Sequence, residues 1–156
     1  MRSGYKGFIK LAACIVMLVV VLVGCSKKET ETVYYLSMNG ADITVTYYAK
    51  GDIVTKQTTY SVVPYSVVGA TTIEEAKEVF DPIAEAYQGI EGVEESIEYK
   101  EDHAVETLVV DYSKADLEQV SKLSGSKFEG DTNGKVSLKK SIKLLEDSGF
   151  TKAEDK

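Results

Sequence analysis

The chain has 156 residues, a formal charge of −7, 44% hydrophobic residues, two cysteines and no tryptophan. Arg2, Lys6 and Lys10 stand before Cys25 with no acid among them, so the remainder carries 15 basic against 25 acidic side chains, a net −10. That acidity rules against nucleic-acid binding through phosphates, which needs a basic surface, and the lack of any cysteine after residue 25 rules out a disulfide framework.

Residues 1–10 form a basic leader segment, and residues 11–23, LAACIVMLVVVLV, are 13 residues without a charge. A membrane-spanning helix needs about 20 apolar residues, so this run fits the core of a signal peptide better. LVGC (22–25) then places a small residue before a cysteine. It resembles the bacterial lipobox, and the resemblance implies cleavage after Gly24 and a diacylglyceryl group on the sulfur of Cys25. Two acyl chains anchor a protein stably where one does not. The competing reading, a short uncleaved anchor ending at Cys25, agrees less well with the order and length of the segments. Cys14 falls inside the leader as a small apolar residue. Residues 26–32, SKKETET, read as a polar tether, with Lys27 and Lys28 adding little beside the lipid.

Residues 32–38 are β-branched and aromatic, Asn39-Gly40 follows, and residues 42–49 alternate Ile43, Val45 and Tyr47 with Thr44, Thr46 and Tyr48. Two such runs around Asn-Gly predict a hairpin, because both turn residues tolerate φ > 0. After AKGD (49–52), residues 53–63 predict a third strand with Val54, Tyr60 and Val62 on one face, ended or pushed to an edge by Pro64.

Thr72 and Glu75 match a capping box. Ile73, Ala76, Phe80, Ile83, Ala84 and Tyr87 then share a helical face. Pro82 inside that pattern predicts a kink or a break. Residues 93–101 alternate as a fourth strand, and residues 105–112 form a fifth, more apolar one. Ser113 with Asp116 opens a helix bearing Ala115, Leu117, Val120 and Leu123, residues 124–135 read as a loop, and 137–147 as a last helix with Leu138, Ile142 and Leu145 on one face. Gly149 and Phe150 are placed for a Schellman motif against Leu145.

The expected order is β-β-β-α-β-β-α-α. Short connections imply antiparallel pairing. The fold class is therefore α+β: a single antiparallel sheet of about five strands, with helices packed mainly on one face. The expected organisation is a signal peptide at 1–24, lipidated cysteine and tether at 25–32, one domain at 33–150 and a frayed tail at 151–156.

NGADITVTYYAKGD, GATTIEEAKEVFDPIAEAYQGIEGVEE and LLEDSGF, with the leader, resemble the YehR-like family of small bacterial lipoproteins, a domain of unknown function. The resemblance spans nearly the whole chain. It implies a lipid-anchored envelope protein with one α+β domain, and it brings no catalytic residue to place here.

The residues themselves offer little chemistry. His103 is the single histidine and sits in a turn beside Glu101 and Asp102, where an exposed turn residue is the simpler reading than a catalytic base or metal ligand. No phosphate loop is present, and DTNG (131–134) lacks the spacing of a calcium loop, so it reads as a turn. Glu91, Glu94, Glu95, Glu98, Glu101 and Asp102 crowd the fourth strand and read as a solvated edge. No cofactor is expected. The tyrosines stand out: of ten, nine follow Cys25, and the pairs Tyr34/Tyr35 and Tyr47/Tyr48 put one ring on each face of the first hairpin. The outer members form a candidate surface for an envelope protein or glycan. The expectation is a non-catalytic protein held to the membrane through the lipid on Cys25, outside the cytoplasm. A structural adaptor role and a hydrolase using two carboxylates in a cleft are the competing readings.

Overall fold

Six antiparallel strands in the order β4-β5-β3-β2-β1-β6 make one sheet. The computed structural model describes residues 27–123 and 135–153. Cys25, the segment 1–24 expected as a leader with its cleavage after Gly24, and DTNG (131–134), read as a turn, lie outside the described residues. The strands are β1 (Glu29–Met38), β2 (Ala41–Lys50), β3 (Ile53–Pro64), β4 (Val93–Tyr99), β5 (His103–Asp111) and β6 (Thr151–Lys152). The helices are α1 (Ile73–Tyr87), α2 (Leu117–Leu123) and α3 (Leu138–Asp147), and a 3-10 turn at Tyr65–Val68 leads into α1. This is the expected α+β order with one short strand added at the end.

The local signals act largely as anticipated. Asn39 (φ 54°) and Gly40 (φ 89°) turn the first hairpin. Gly149 takes φ 91°, its N–H reaches the Glu146 carbonyl at 3.0 Å, and the Phe150 N–H reaches the Leu145 carbonyl at 2.9 Å. That pair of bonds is the Schellman motif, and Phe150 packs with Leu145 into the core beneath α3. Thr72 caps α1 by accepting from the Glu75 N–H at 3.2 Å. The Glu75 carboxylate reaches one residue further back than a capping box requires, to the Thr71 N–H at 2.7 Å and hydroxyl at 2.8 Å.

Several details differ from the sequence reading. Pro82 does not split the helix, because α1 runs unbroken through it. The helix is held to the sheet before that point by Ala76 and Phe80, whereas Ile83 is exposed. The cap of α2 is Asp116, whose Oδ1 accepts from the Glu118 N–H at 2.9 Å, while Ser113 bonds Asp111 instead. β1 begins at Glu29, opposite Lys50, so half of the expected tether is strand. The stretch read as a frayed tail starts with β6, which pairs Thr151 with Tyr35 and Lys152 with Tyr34.

The most consequential difference lies in β3. Tyr48 pairs with Lys56 but Ala49 pairs with Val54, which leaves Thr55 as an extra residue. Such a bulge reverses the alternation beyond it. Val54 therefore faces the core while Tyr60 is exposed, and the two do not share a face.

All three helices lie over one face. Two clusters form there: Tyr65, Ala70, Ala76, Phe80 and Ala104 under α1, and Val45, Tyr47, Val54 and Val136 under α2 and α3 with Leu117, Leu138 and Leu145 packed on them. Ala104, Glu106, Leu108 and Val110 alternate onto this face of β5, and register aligns them with Val63, Ser61, Thr59 and Gln57 of β3. The polar residues Gln57, Thr59, Ser61 and Glu106 thus lie between the two apolar clusters.

Candidate binding surface

Period-two alternation sends neighbouring tyrosines to opposite faces, and the helices then decide which becomes interior. Tyr34 is 3% exposed and its hydroxyl donates to Glu146 Oε1 at 2.9 Å, on α3. Tyr47 is 6% exposed and hydrogen-bonds Ser141, also on α3. Tyr112 donates to Gln57 Oε1 at 2.7 Å, and the Tyr99 hydroxyl reaches Asp81 on α1. Tyr34, Tyr47 and Tyr99 thus join sheet to helix, and Tyr34 and Tyr47 are unavailable as surface. A ring that fills a core must also satisfy its hydroxyl; helix side chains do that for Tyr34, Tyr47 and Tyr99, and Gln57 of β3 does it for Tyr112.

Tyr35 and Tyr48 point the other way, and Tyr60 joins them. Register lines up Tyr35, Thr44, Tyr60, Thr107 and Ser96 across five strands. The next row holds Val33, Thr46, Thr58, Val109 and Glu94. No helix packs on this face through any of the described core residues. Tyr35 is 40% and Tyr60 48% exposed. The bulge at Thr55 brings Tyr60 to this face, and nothing in the local sequence announces a bulge there.

Charge is confined to the margin of this face. The Tyr35 hydroxyl donates to Asp42 Oδ1 at 2.6 Å, and the hydroxyls of Tyr35 and Ser37 hold the Asp42 carboxyl below its ordinary value. Lys56 Nζ stands 4.0 Å from the centre of the Tyr48 ring, in cation–π geometry. A neutral aromatic and threonine centre with a charged rim matches the anatomy of a protein-binding patch.

The acidic strand β4 is an edge, and Glu94 and Glu98 are exposed on it, with Glu98 2.6 Å from Lys100. Glu95 is different. It turns toward the helices, and its Oε1 is buried without a hydrogen bond. It pairs with Leu108 and so lies diagonal to Glu106 on the same face. Burial first, and then the Glu106 charge, raise the Glu95 carboxyl above its ordinary value. Burial likewise raises Glu106, against a hydrogen bond from Ser61, and the Tyr87 hydroxyl faces both charges. Acid–base hydrolysis needs two carboxyls across a cleft. A concavity of about 180 Å³, lined by Ile53, Thr55, Tyr112, Ser113 and Lys135 among others, contains neither.

His103 opens β5, with Nδ1 2.6 Å from Asp102 Oδ1. Among the described residues no hydroxyl bonds this imidazole. No three acidic, histidine or cysteine side chains among the described residues gather to hold a metal ion.

Residues 29–151 match the family described as "Protein of unknown function (DUF1307)". A relative from Listeria innocua, the uncharacterized lipoprotein Lin0239, is 44% identical over 140 residues, covering 90% of this chain and 92% of the relative. The uncharacterized lipoprotein YehR of Escherichia coli is 36% identical over 122 residues, covering 77% and 80%. The solution structure of E. coli YehR superimposes with a TM-score of 0.72 at 28% identity, over 83% of this chain and 94% of that one. The likeness to the YehR-like family seen in the sequence is thereby established, in sequence and in fold.

Proposed function

This chain belongs to the DUF1307 family, and from that premise we propose that it is a non-catalytic lipoprotein whose open sheet face holds a partner protein in the bacterial envelope. Three of its relatives carry the name lipoprotein, and the leader ends in LVGC (22–25). Both support lipidation of Cys25 after cleavage behind Gly24, with the folded body outside the cytoplasm. The observation that carries the partner reading is the uncovered tyrosine face. Small ligands are held in concave sites. A flat face of Tyr35, Tyr48 and Tyr60 set among threonines suits a macromolecule instead, and tyrosine supplies large contact area at small conformational cost.

Two measurements test this. Cys25→Ala abolishes incorporation of a fatty-acid probe in cells and leaves the leader uncleaved; undiminished incorporation refutes the anchor. Photo-crosslinking residues placed at positions 35 and 60 of the full chain give a discrete protein adduct in cell envelopes, whereas one placed at the exposed Leu144 of α3 does not. An adduct degraded by glycosidases and not by proteases assigns the face to a glycan. Equal adducts at all three positions refute the surface.

A further inference from the structure

Charge is divided unevenly over the body. Residues 73–106 hold twelve acids and only Lys77 and Lys100, which accounts for the whole net −10 after Cys25. The remainder is balanced, and its lysines gather at one corner. β1 starts at Glu29 opposite Lys50. The Lys27 side chain lies over Gly51, with its Cδ 2.7 Å from where a Cβ at that position would stand. The β2–β3 turn also receives the start of α3. The Leu138 N–H donates to the Asp52 carbonyl at 2.9 Å, and the Lys139 N–H donates to Asp52 Oδ1 at 2.8 Å. The Val54 N–H donates to the Val136 carbonyl at 3.0 Å. Lys27, Lys28, Lys50, Lys135, Lys139 and Lys140 are therefore neighbours of a single turn, although the sequence scatters them over more than a hundred positions.

All six are exposed, and none forms a salt bridge to a described residue. By contrast Lys100, Lys114, Lys122 and Lys143 are each paired with an acid. The start of α3 gathers lysines where the start of α1 gathers acids. α1 places Glu74 and Glu75 in its first turn, whereas α3 has no acid there and carries Lys139 and Lys140. Positive charge at a helix N-terminus is locally unfavourable, and here the Asp52 carboxylate, bonded to the Lys139 N–H, offsets part of it from across the turn. Ile53, which opens β3 directly after the same turn, is 42% exposed.

We infer that this corner docks the body onto anionic lipid headgroups. The inference rests on the lipid anchor at Cys25. Only Ser26 separates Cys25 from Lys27, so two residue steps limit their distance to about 7 Å, within one screening length at physiological salt. The anchor thus brings the lysine corner to the surface whatever the body's net charge, and each lysine near an anionic surface is attracted to it. The acidic side at β4 and α1 is repelled, so the two halves of the charge distribution favour the same orientation. Ile53 meets the interfacial region as an apolar contact.

The full lipidated chain, reconstituted into vesicles, is treated with an amine-reactive reagent and the modified lysines are mapped by mass spectrometry. On vesicles containing phosphatidylglycerol, Lys50, Lys135, Lys139 and Lys140 react about fivefold more slowly than on pure phosphatidylcholine, the factor expected for one lysine–surface contact. Lys77 and Lys100 react alike on both. The protection disappears in about 1 M salt, where the screening length is near 3 Å. The variant K50Q/K139Q/K140Q still sediments with vesicles, and its Lys135 reacts at the phosphatidylcholine rate. Equal reactivity on the two lipids, in a chain that sediments with both, overturns the docking alone. A chain that sediments with neither overturns the anchor and the docking together.

Discussion

Tyr34 and Tyr35 are consecutive, yet one is a strut and the other a surface. The hydroxyl of Tyr34 crosses to Glu146 on α3 at 2.9 Å, while that of Tyr35 stays in the sheet and meets Asp42 at 2.6 Å. The same division separates Tyr47 from Tyr48. It has measurable consequences for stability as well as for binding.

Tyr47→Ala empties a site in the cluster beneath α3 and is expected to cost about 3–5 kcal/mol, as for other buried aromatic truncations. Tyr48→Ala removes a half-exposed ring and its contact with Lys56, at a cost of about 1 kcal/mol or less. Urea denaturation of the two variants separates the faces. Equal losses would contradict the assignment of one ring to the core and one to the surface.

Glu106 makes stability depend on pH in an unusual direction for a carboxylate. Its folded value lies above the ordinary 4.5 because burial disfavours the charge, with Glu95, Ser61 and Tyr87 around it. The folded state therefore holds its proton more tightly than the unfolded chain does. Its contribution falls as pH rises from about 4.5 through the raised value, and the penalty is then constant. Glu106→Gln keeps an acceptor for Ser61 and removes the charge. The variant is expected to match the parent at low pH and to melt higher at neutral pH. A melting-temperature difference that does not vary with pH would remove burial of the charge as the cause.

Asp52 ties the β2–β3 turn to α3 with its carboxylate, through the Lys139 N–H and the Ser137 hydroxyl, both at 2.8 Å. Those hydrogen bonds, the backbone one first, hold its carboxyl below 3.8. Its contribution is thus present above the unfolded value and is lost as pH falls through the folded one. Asp52→Asn is expected to cost about 1 kcal/mol at neutral pH, the worth of a helix cap. The difference narrows in acid, and denaturant midpoints at two pH values check both statements.

Gly89 and Gly92 are a matched pair. Both have positive φ, 78° and 74°. A Cβ at Gly89 meets nothing within 4 Å, whereas at Gly92 it lies 2.8 Å from the Ala115 nitrogen and 2.9 Å from the Asp111 carbonyl oxygen. Gly89→Ala therefore carries only the left-handed penalty of about 1–2 kcal/mol. Gly92→Ala adds a backbone clash and is expected to destabilise more, with a lower urea midpoint. Similar midpoints for the two would show that the contact of Gly92 with the segment from Asp111 to Ala115 yields readily.

The chain states its own element order, because strand alternation, helical periodicity and punctuation such as Thr72, Asn39-Gly40 and Gly149 act over a few residues. Run length and residue order alone also carry the proposal of a leader that ends before Cys25. The chain cannot state which face of the sheet is covered. A period of two is the same viewed from either side, so Tyr34 and Tyr35 are equivalent until α3 docks. The extra residue at Thr55 reversed β3 and moved Tyr60 to the open face, since a bulge is set by cross-strand register. Glu95 read as one more acid on a solvated edge, and only α1 lying over β4 turned it inward. The lysine corner is likewise a product of tertiary structure. Lys27, Lys50, Lys135 and Lys139 meet because the β2–β3 turn binds the start of α3, and contacts between distant segments are beyond the reach of local pattern.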